Sequence, residues 1–417
     1  MAPLKAAGWR SGGSCAAIHL TPEATTQCHN PENERGSGRR SAGKLNDTQN
    51  TISMKLKHLI ISIALLILAS ALTACAGGAT AATSWPGLLV AGDIAYVAYN
   101  TQVHAVQISN GSEQWRFPAE ADNKITFYAK PALAPDDQLV VGGYNNVLYS
   151  LNPGNGSVHW SFTGAKNRFI AAPLAAQGGV FAPDADKKVY GLDLNGSEIW
   201  TYEMKGESWA QPIADSQCKC LYVASMDHTV YALDPANGNL LWRSADLGGA
   251  MVGTPALDET TGTLYVGTFD KQMLAISTQD GSVPWRFATA GWVWSSPALD
   301  NGRLYFGDLD GNFYAVDAAE GTKVWQLTPD QLDGAIAGTP LVVDNVIYFT
   351  TESGSLFAVD TTGKKMWSQA IGGKLYTAPA EAGDLILVTP IDNPDLLVAV
   401  SKDGGAKKWS FNPNPQQ

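Results

Sequence analysis

The sequence predicts an all-β protein, an eight-bladed β-propeller built from four-stranded antiparallel blades. One observation is a tryptophan-bearing segment that recurs eight times along the chain, at intervals of 40–45 residues. This interval is the usual length of one propeller blade. The other is that short β-branched and aromatic runs alternate with turn residues after residue 85, without sustained helical periodicity.

The recurring tryptophans set the phase of the repeats, and each one closes a repeat. They are Trp115, Trp160, Trp200, Trp242, Trp285, Trp325, Trp367 and Trp409, with separations of 45, 40, 42, 43, 40, 42 and 42 residues.

Each repeat follows one plan, which predicts four short strands named A to D. A proline precedes strand A, and a turn rich in Asp, Asn or Gly leads into strand B, as in RLYFGD at 303–308. A polar hairpin leads into strand C, as in NFYAVD at 312–317, and a glycine turn leads into the strand D that carries the tryptophan. These turn residues favour tight connections between antiparallel strands.

The segment around each tryptophan has a structural explanation, shown by ALDPANGNLLW at 232–242. Gly238 supplies the positive φ of a tight turn, and Asp234 can accept hydrogen bonds from turn amides. The small Ala232 leaves room for the Trp242 indole to lie flat. A buried tryptophan removes about 150–250 Å² from water. We therefore expect all eight tryptophans to be docking residues between adjacent blades.

This motif, repeated eight times in phase, resembles the tryptophan-docking motif of the PQQ-repeat β-propellers. That superfamily includes quinoprotein alcohol dehydrogenases and the propeller lipoprotein of the outer-membrane β-barrel assembly machine, which this chain resembles most in size and anchor. The assembly lipoprotein completes its last blade with an N-terminal strand, but residues 75–84 contain none. The ring therefore closes either without a shared strand or with the Trp409 strand alone.

The N-terminal region predicts export and lipid attachment. Lys55 and Lys57 precede the apolar run of residues 59–74, which is shorter than a membrane-spanning helix needs, and Cys75 follows it. Residues 54–74 thus resemble a lipoprotein signal peptide with Cys75 as the lipidated residue; an uncleaved N-terminal anchor is the alternative. Either places the body outside the cytoplasm, tethered to a membrane at the cell surface or in the periplasm.

The remaining boundaries follow from the signal and the repeats. Residues 1–53 are unpatterned, and we interpret them as an over-extended start or a disordered leader. Residues 75–84 are a short linker, residues 85–412 the propeller and residues 413–417 a tail. Residues 75–417 contain 20 Lys/Arg and 35 Asp/Glu. This acidic balance argues against a nucleic-acid partner, because phosphate binding needs basic patches.

An enzyme and a scaffold are the two functions considered. The resemblance implies, for a dehydrogenase, PQQ on the propeller axis against a ring formed by two adjacent cysteines, with Ca²⁺ beside it. Here Cys218 and Cys220 are not adjacent, and they fall in an A–B turn, at the end of the blade opposite the B–C and D–A loops. We expect no cofactor, metal site or catalytic residue, with a PQQ- and calcium-dependent dehydrogenase acting on alcohols or sugars as the alternative. A disulfide and free thiols both remain open for this pair.

The scaffold interpretation places binding on the face formed by the B–C hairpins and D–A loops. Bulky residues stand three positions before several of the prolines, and Asp residues recur in the hairpins, so we expect an aromatic funnel ringed by acid. We expect the acidic runs at 184–188 and 308–312 to be solvated turns rather than calcium loops. The alternative is that the rings pack beneath their own loops. The candidate residues are Tyr128, Arg168, Trp209, Trp292, Trp294, Tyr376, Asp227, Asp270 and Asp308.

Proteins or peptides of the cell envelope are the expected partners of this face, because amphipathic aromatic residues anchor protein interfaces. We expect the protein to be a monomer or a subunit of a complex.

Overall fold

The computed structural model describes residues 85–414, which form 32 strands in eight four-stranded sheets. The predicted leader, signal peptide, lipidated Cys75 and linker lie outside the described residues, as do residues 415–417. Within residues 85–414, no helix has the length and apolar character needed to cross a bilayer. The predicted fold class is confirmed.

The first four blades use strands β1 to β16. Blade 1 contains β1 (Gly87–Ala91), β2 (Ile94–Tyr99), β3 (Gln102–Gln107) and β4 (Glu113–Phe117). Blade 2 contains β5 (Ala132–Leu133), β6 (Leu139–Gly142), β7 (Leu148–Leu151) and β8 (Val158–Phe162). Blade 3 contains β9 (Leu174–Ala176), β10 (Gly179–Asp184), β11 (Lys188–Asp193) and β12 (Glu198–Glu203). Blade 4 contains β13 (Ile213–Asp215), β14 (Cys220–Ala224), β15 (Val230–Leu233) and β16 (Leu240–Arg243).

The last four blades use strands β17 to β32. Blade 5 contains β17 (Ala256–Asp258), β18 (Thr263–Thr268), β19 (Gln272–Ser277) and β20 (Arg286–Ala288). Blade 6 contains β21 (Ala298–Asp300), β22 (Arg303–Gly307), β23 (Phe313–Asp317) and β24 (Lys323–Leu327). Blade 7 contains β25 (Leu341–Val343), β26 (Val346–Thr350), β27 (Ser355–Asp360) and β28 (Lys365–Ala370). Blade 8 contains β29 (Ala380–Ala382), β30 (Leu385–Val388), β31 (Leu397–Ser401) and β32 (Lys407–Phe411).

Each sheet pairs its strands in chain order, and all pairs are antiparallel, as in β13-β14-β15-β16. In seven blades the register between strands C and D shifts at the small residue of the motif, and the tryptophan pairs with that residue. In blade 4, for example, Ala232 pairs with Trp242. In blade 5, strand D begins only after Trp285, two residues beyond Pro284, because proline cannot donate to a ladder.

The apolar core lies between the blades rather than within any one of them. Eight buried clusters each join two neighbouring blades. Between blades 6 and 7, Phe313 stacks on Phe349 with ring centroids 4.1 Å apart. Between blades 8 and 1, Leu387 and Leu397 pack with Val97, and this contact completes the ring.

Each motif tryptophan packs against the C–D turn of the following blade. The indole of Trp200 lies so close to Gly238 (φ +73°) that a Cβ there would be 2.5 Å from the ring. The indole N–H of Trp200 donates to the Pro235 carbonyl of the same turn at 2.8 Å. Six further tryptophans make the equivalent bond to the next blade: Trp115, Trp160, Trp242, Trp285, Trp325 and Trp367.

In the part of the chain that the structure describes, ring closure uses no shared strand, because every blade there is one contiguous segment. Trp409 of blade 8 lies against Gly111 of blade 1, where a Cβ would be 2.6 Å from its ring. The buried Nε1 of Trp409, however, has no hydrogen-bond partner within the described residues. The closing contact therefore keeps the docked indole but lacks the hydrogen bond that the other seven make.

Candidate functional site

The D–A loops and B–C hairpins meet at one end of the propeller, because each D–A loop is bonded to the hairpin of the blade that follows it. The Leu309 N–H donates to the Trp292 carbonyl at 2.9 Å, and the Met226 N–H donates to the Glu207 carbonyl at 2.8 Å. The two backbones approach closely, since a Cβ on Gly291 would lie 2.6 Å from the Asp310 nitrogen. These loops form the face on which the candidate residues were predicted.

Four aromatic side chains converge at the centre of this face, and we call them the axial aromatic cluster: Trp85, Trp209, Trp294 and Tyr376. Trp85 contacts Trp294 and Tyr376, with ring centroids 5.2 and 5.1 Å apart, and Trp209 lies 6.5 Å from Trp294. Trp85 precedes blade 1, whereas Trp294 precedes blade 6. Because the contact joins loops of non-adjacent blades, these aromatic side chains must meet near the propeller axis.

Two further rings extend this cluster toward solvent over blades 5 and 6. Phe269 lies 5.3 Å from Trp294 and stacks on Trp292, with centroids 5.2 Å apart and planes inclined by 16°. Trp292 is 41% exposed, which is unusual for so large an apolar side chain. The cluster therefore continues from a half-buried centre to an accessible edge.

Carboxylates orient the cluster from its rim. The Trp209 indole donates to Glu207 at 3.1 Å, and the Tyr376 hydroxyl donates to Glu352 at 2.8 Å. Burial, with the Glu352 carboxylate beside it, raises the pKa of Tyr376, so its hydroxyl stays a donor at neutral pH. Lys374 lies 3.7 Å from Glu352 and adds a rim cation.

Tyr128 and Arg168 belong to a second stack on the same face. Tyr128 lies parallel to Tyr144, with centroids 4.4 Å apart and planes inclined by 6°. The Arg168 guanidinium lies 5.1 Å from the Tyr144 centroid, within range of a cation–π interaction. Burial raises the pKa of Tyr144, and the nearby Glu207 carboxylate adds to this effect. Glu207 also accepts the Trp209 hydrogen bond, so its carboxylate influences both this stack and the axial aromatic cluster.

The acidic candidates differ in how far they reach the surface. Asp270 is exposed, and Asp227 is half-buried and accepts a 2.5 Å hydrogen bond from the Tyr231 hydroxyl. Asp308 is fully buried and accepts hydrogen bonds from Gly291, Asp310, Asn312 and Tyr314. It therefore cannot contact a partner, contrary to its place among the candidate binding residues.

The expectation that the two acidic runs are solvated turns is also wrong for their first residue. Asp184 is the last residue of β10, Asp308 directly follows β22, and both are fully buried. The Asp184 carboxylate accepts a 2.8 Å bond from the Asp186 amide, and burial raises the pKa of Asp184 to about 8. Both faces of strand B are covered by neighbouring blades, so every residue of β10 is buried, the terminal Asp184 included.

Three aromatic residues of this face are absent from the sequence-based set: Trp85, Tyr144 and Phe269. Trp85 stands directly before the first proline of the repeats rather than three positions before it, so the spacing rule misses it. Tyr144 and Phe269 lie in hairpins, where only the acidic residues were considered. The position of Trp85 immediately before the first repeat was the one sequence feature that could have indicated its place on this face.

The comparisons with known proteins first concern the family. The family model described as "Outer membrane protein assembly factor BamB" matches residues 99–224, 226–360 and 331–417. The chain belongs to this family. A BamB of Yersinia pestis is 34% identical over 125 residues, which is 28% of this chain and 31% of that relative. The match to this relative thus spans less than a third of its length.

Solved structures show the same fold at low sequence identity. The BamB crystal structure from Moraxella catarrhalis superimposes with a TM-score of 0.63 and 17% identity, covering 75% of this chain and 94% of that one. A europium-containing methanol dehydrogenase gives a TM-score of 0.59 and 14% identity, covering 78% and 85%. Because one neighbour is an assembly factor and the other an enzyme, the shared fold does not decide function.

The residues of this BamB-family chain do not fit the PQQ site that the dehydrogenases imply. Cys218 and Cys220 are disulfide-bonded, but they lie in the A–B turn between β13 and β14, at the end of the blade opposite the loop face. On the axis, Trp85 and Trp294 contact each other directly. Within residues 85–414, no three His, Cys, Asp or Glu side chains are grouped to hold a metal ion.

Proposed function

We propose that this protein is a membrane-tethered, extracytoplasmic scaffold that binds protein or peptide partners during envelope protein assembly. The observation that carries the proposal is the axial aromatic cluster, which joins loops of four blades and continues to the exposed ring of Trp292. Membership of the BamB family supports the assembly role.

The chemistry of the face favours a partner segment that carries apolar and basic side chains. Large aromatic rings supply the apolar contact, and tryptophan and tyrosine commonly dominate binding energy at interfaces. Around them, Asp227, Asp270 and Asp310 contribute one carboxylate per blade from three successive hairpins. Such a rim attracts basic segments and disfavours acidic ones.

We expect Trp292→Ala and Trp294→Ala each to weaken partner capture about tenfold or more, since truncating a central aromatic anchor commonly costs about 2 kcal/mol. Capture would be measured by affinity purification of the tagged full chain from detergent-solubilised native membranes. The bound proteins would be identified and quantified by mass spectrometry. Trp292 is the cleaner site, because its 41% exposure leaves the fold little changed by truncation.

Ile199→Ala is the matched control for this experiment. Ile199 is an exposed apolar residue (57%) on outer strand β12, away from the loop face. Capture by this variant should equal that of the unmodified protein. If Trp292→Ala and Trp294→Ala also captured the same partners at full yield, the loop face would not be the binding surface.

Cys75→Ser should move the protein from the membrane fraction to the soluble fraction. A serine cannot form the thioether to lipid, and the apolar run of residues 59–74 is too short to span a bilayer by itself. Fractionation of the native host, with immunodetection of the chain, measures the distribution. An unchanged membrane fraction would contradict lipid anchoring through Cys75 and favour an uncleaved anchor.

A further inference from the structure

The A–B turn of blade 4 carries a disulfide that closes a loop of three residues. Cys218 and Cys220 are bonded across Lys219, with their Cα atoms 5.3 Å apart. Cys218 is exposed, whereas Cys220 is the first residue of β14 and only 6% exposed. Cys218 therefore lies at the surface, whereas Cys220 belongs to the core.

Blade 5 builds the same turn without sulfur. Asp215 accepts hydrogen bonds from the Gln217 and Cys218 amides, just as Asp258 accepts them from the Thr260 and Thr261 amides. Lys219 has φ +55°, and Gly262 at the matching position has φ +65°.

The cysteines themselves correspond to Thr261 and Thr263, whose hydroxyls are hydrogen-bonded at 3.2 Å. A hydroxyl pair thus occupies in blade 5 the place of the sulfur pair in blade 4.

The disulfide is therefore not required to shape the turn. A cross-link over so few residues also removes little entropy from the unfolded chain, because the stabilisation by a disulfide grows with the length of its loop. A role in stability accounts poorly for this cysteine pair.

Neighbouring blades hold the turn in place on both sides. The Ser216 amide and hydroxyl donate to Glu259 of blade 5 at 2.8 and 2.7 Å, and the Gln177 side chain of blade 3 donates to the Asp215 carbonyl at 3.1 Å. After reduction, these contacts would keep the two sulfurs close enough to bond again.

A buried hydroxyl also touches the exposed sulfur. Tyr222 lies with its hydroxyl 3.3 Å from the Cys218 Sγ and donates to Asp215 at 3.2 Å. Burial and the Asp215 carboxylate raise the pKa of Tyr222, so its hydroxyl remains protonated. In the reduced protein, the Cys218 thiol can donate a hydrogen bond to the Tyr222 hydroxyl oxygen. The turn therefore offers the sulfur a polar partner in the reduced state as well as in the oxidised one.

We propose that Cys218 and Cys220 form a redox-active site that exchanges with accessible dithiols of other extracytoplasmic proteins or peptides. A substrate thiolate attacks the exposed Cys218 Sγ, the Cys218–Cys220 bond breaks, and Cys220 takes the electron pair and then a proton. The second substrate thiolate attacks the substrate sulfur of the mixed disulfide, and Cys218 leaves as a thiolate that is protonated. The substrate thereby gains a disulfide, the protein pair gains two electrons and two protons, and oxidised glutathione can restore the pair by the reverse exchange.

The test uses the full chain in catalytic amount with a dithiol peptide and excess oxidised glutathione. The readout is the rate of peptide disulfide formation, measured by mass spectrometry after alkylation. We expect at least about a tenfold higher rate with the unmodified protein than with the matched control Cys218→Thr/Cys220→Thr, which reproduces the hydroxyl pair of blade 5. Equal rates for the two proteins would overturn the proposal.

Single variants locate the attacked sulfur. With a single-thiol peptide and oxidised glutathione as the oxidant, Cys220→Ser should accumulate a mixed disulfide between Cys218 and the peptide, whereas Cys218→Ser should form little adduct at buried Cys220. Adducts of equal yield on both variants, or a Cys218–Cys220 bond that survives excess dithiothreitol in the folded protein, would contradict the assignment. This site lies at the end of the blade opposite the loop face, so its failure leaves the proposed partner binding untouched.

Discussion

Trp242→Ala should lower the free energy of unfolding by about 3–5 kcal/mol, because it removes a large docked side chain and leaves a cavity between two blades. The Trp242 indole packs against Gly281 of blade 5, and its N–H donates to the Thr278 carbonyl at 2.7 Å. It also adjoins the buried cluster that contains Leu264 and Ile276. The substitution therefore removes apolar contact and a cross-blade hydrogen bond together.

Chemical denaturation followed by circular dichroism measures this loss, and Trp292→Ala is the matched control. Trp292 is also a tryptophan, but it is 41% exposed, and truncating it should change stability by no more than about 0.5 kcal/mol. A Trp242→Ala protein as stable as the unmodified protein would show that blades 4 and 5 hold together without the docked indole.

Asp308→Ala should lower the free energy of unfolding by about 3 kcal/mol or more, because each donor left buried without an acceptor costs about 1–3 kcal/mol. The Asp308 carboxylate accepts hydrogen bonds from the amides of Gly291 and Asn312 at 2.9 Å and from the Tyr314 hydroxyl at 2.8 Å. Alanine leaves all of these donors buried without an acceptor. Since Gly291 adjoins Trp292, we also expect the loop face to lose order.

Asp310→Ala is the control for this variant, because Asp310 lies in the same hairpin but is exposed. It should remain within about 0.5 kcal/mol of the unmodified protein. Equal stability of Asp308→Ala and Asp310→Ala, measured by the same denaturation experiment, would show that the hairpin does not depend on the buried carboxylate.

The fold could be predicted from sequence because the repeat determines it. The motif at residues 232–242 occurs eight times in phase, so each copy supports the assignment of the others to equivalent blades. The strand period of two leaves few alternatives to short β-strands. The order of strands within each blade then follows from the repeat, whereas the way in which the ring closes remained open at the level of the sequence.

The candidate site was predictable only in part, because its residues meet across the ring. Their position three residues before a proline identified Trp209, Trp294 and Tyr376 in the sequence, and the structure brings these three side chains together. Trp85 joins them only because the first and sixth blades both direct loops toward the axis. The burial of Asp308 could not be predicted either, because the run at 308–312 has the composition of an exposed turn, whereas a bond from Gly291 of the preceding D–A loop helps to enclose the carboxylate.

The contact between blades 8 and 1 gives the molecule an intramolecular interface. Among residues 85–414, no strand crosses it, and Trp409 packs against Gly111 without a hydrogen-bond partner for its buried nitrogen. Separating these two blades would break no strand pairing, whereas dismantling any blade would break several. The closed propeller can thus be regarded as a linear array of eight blades whose first and last members pack against each other. The fit of the side chains between blades 8 and 1 then determines whether the array closes.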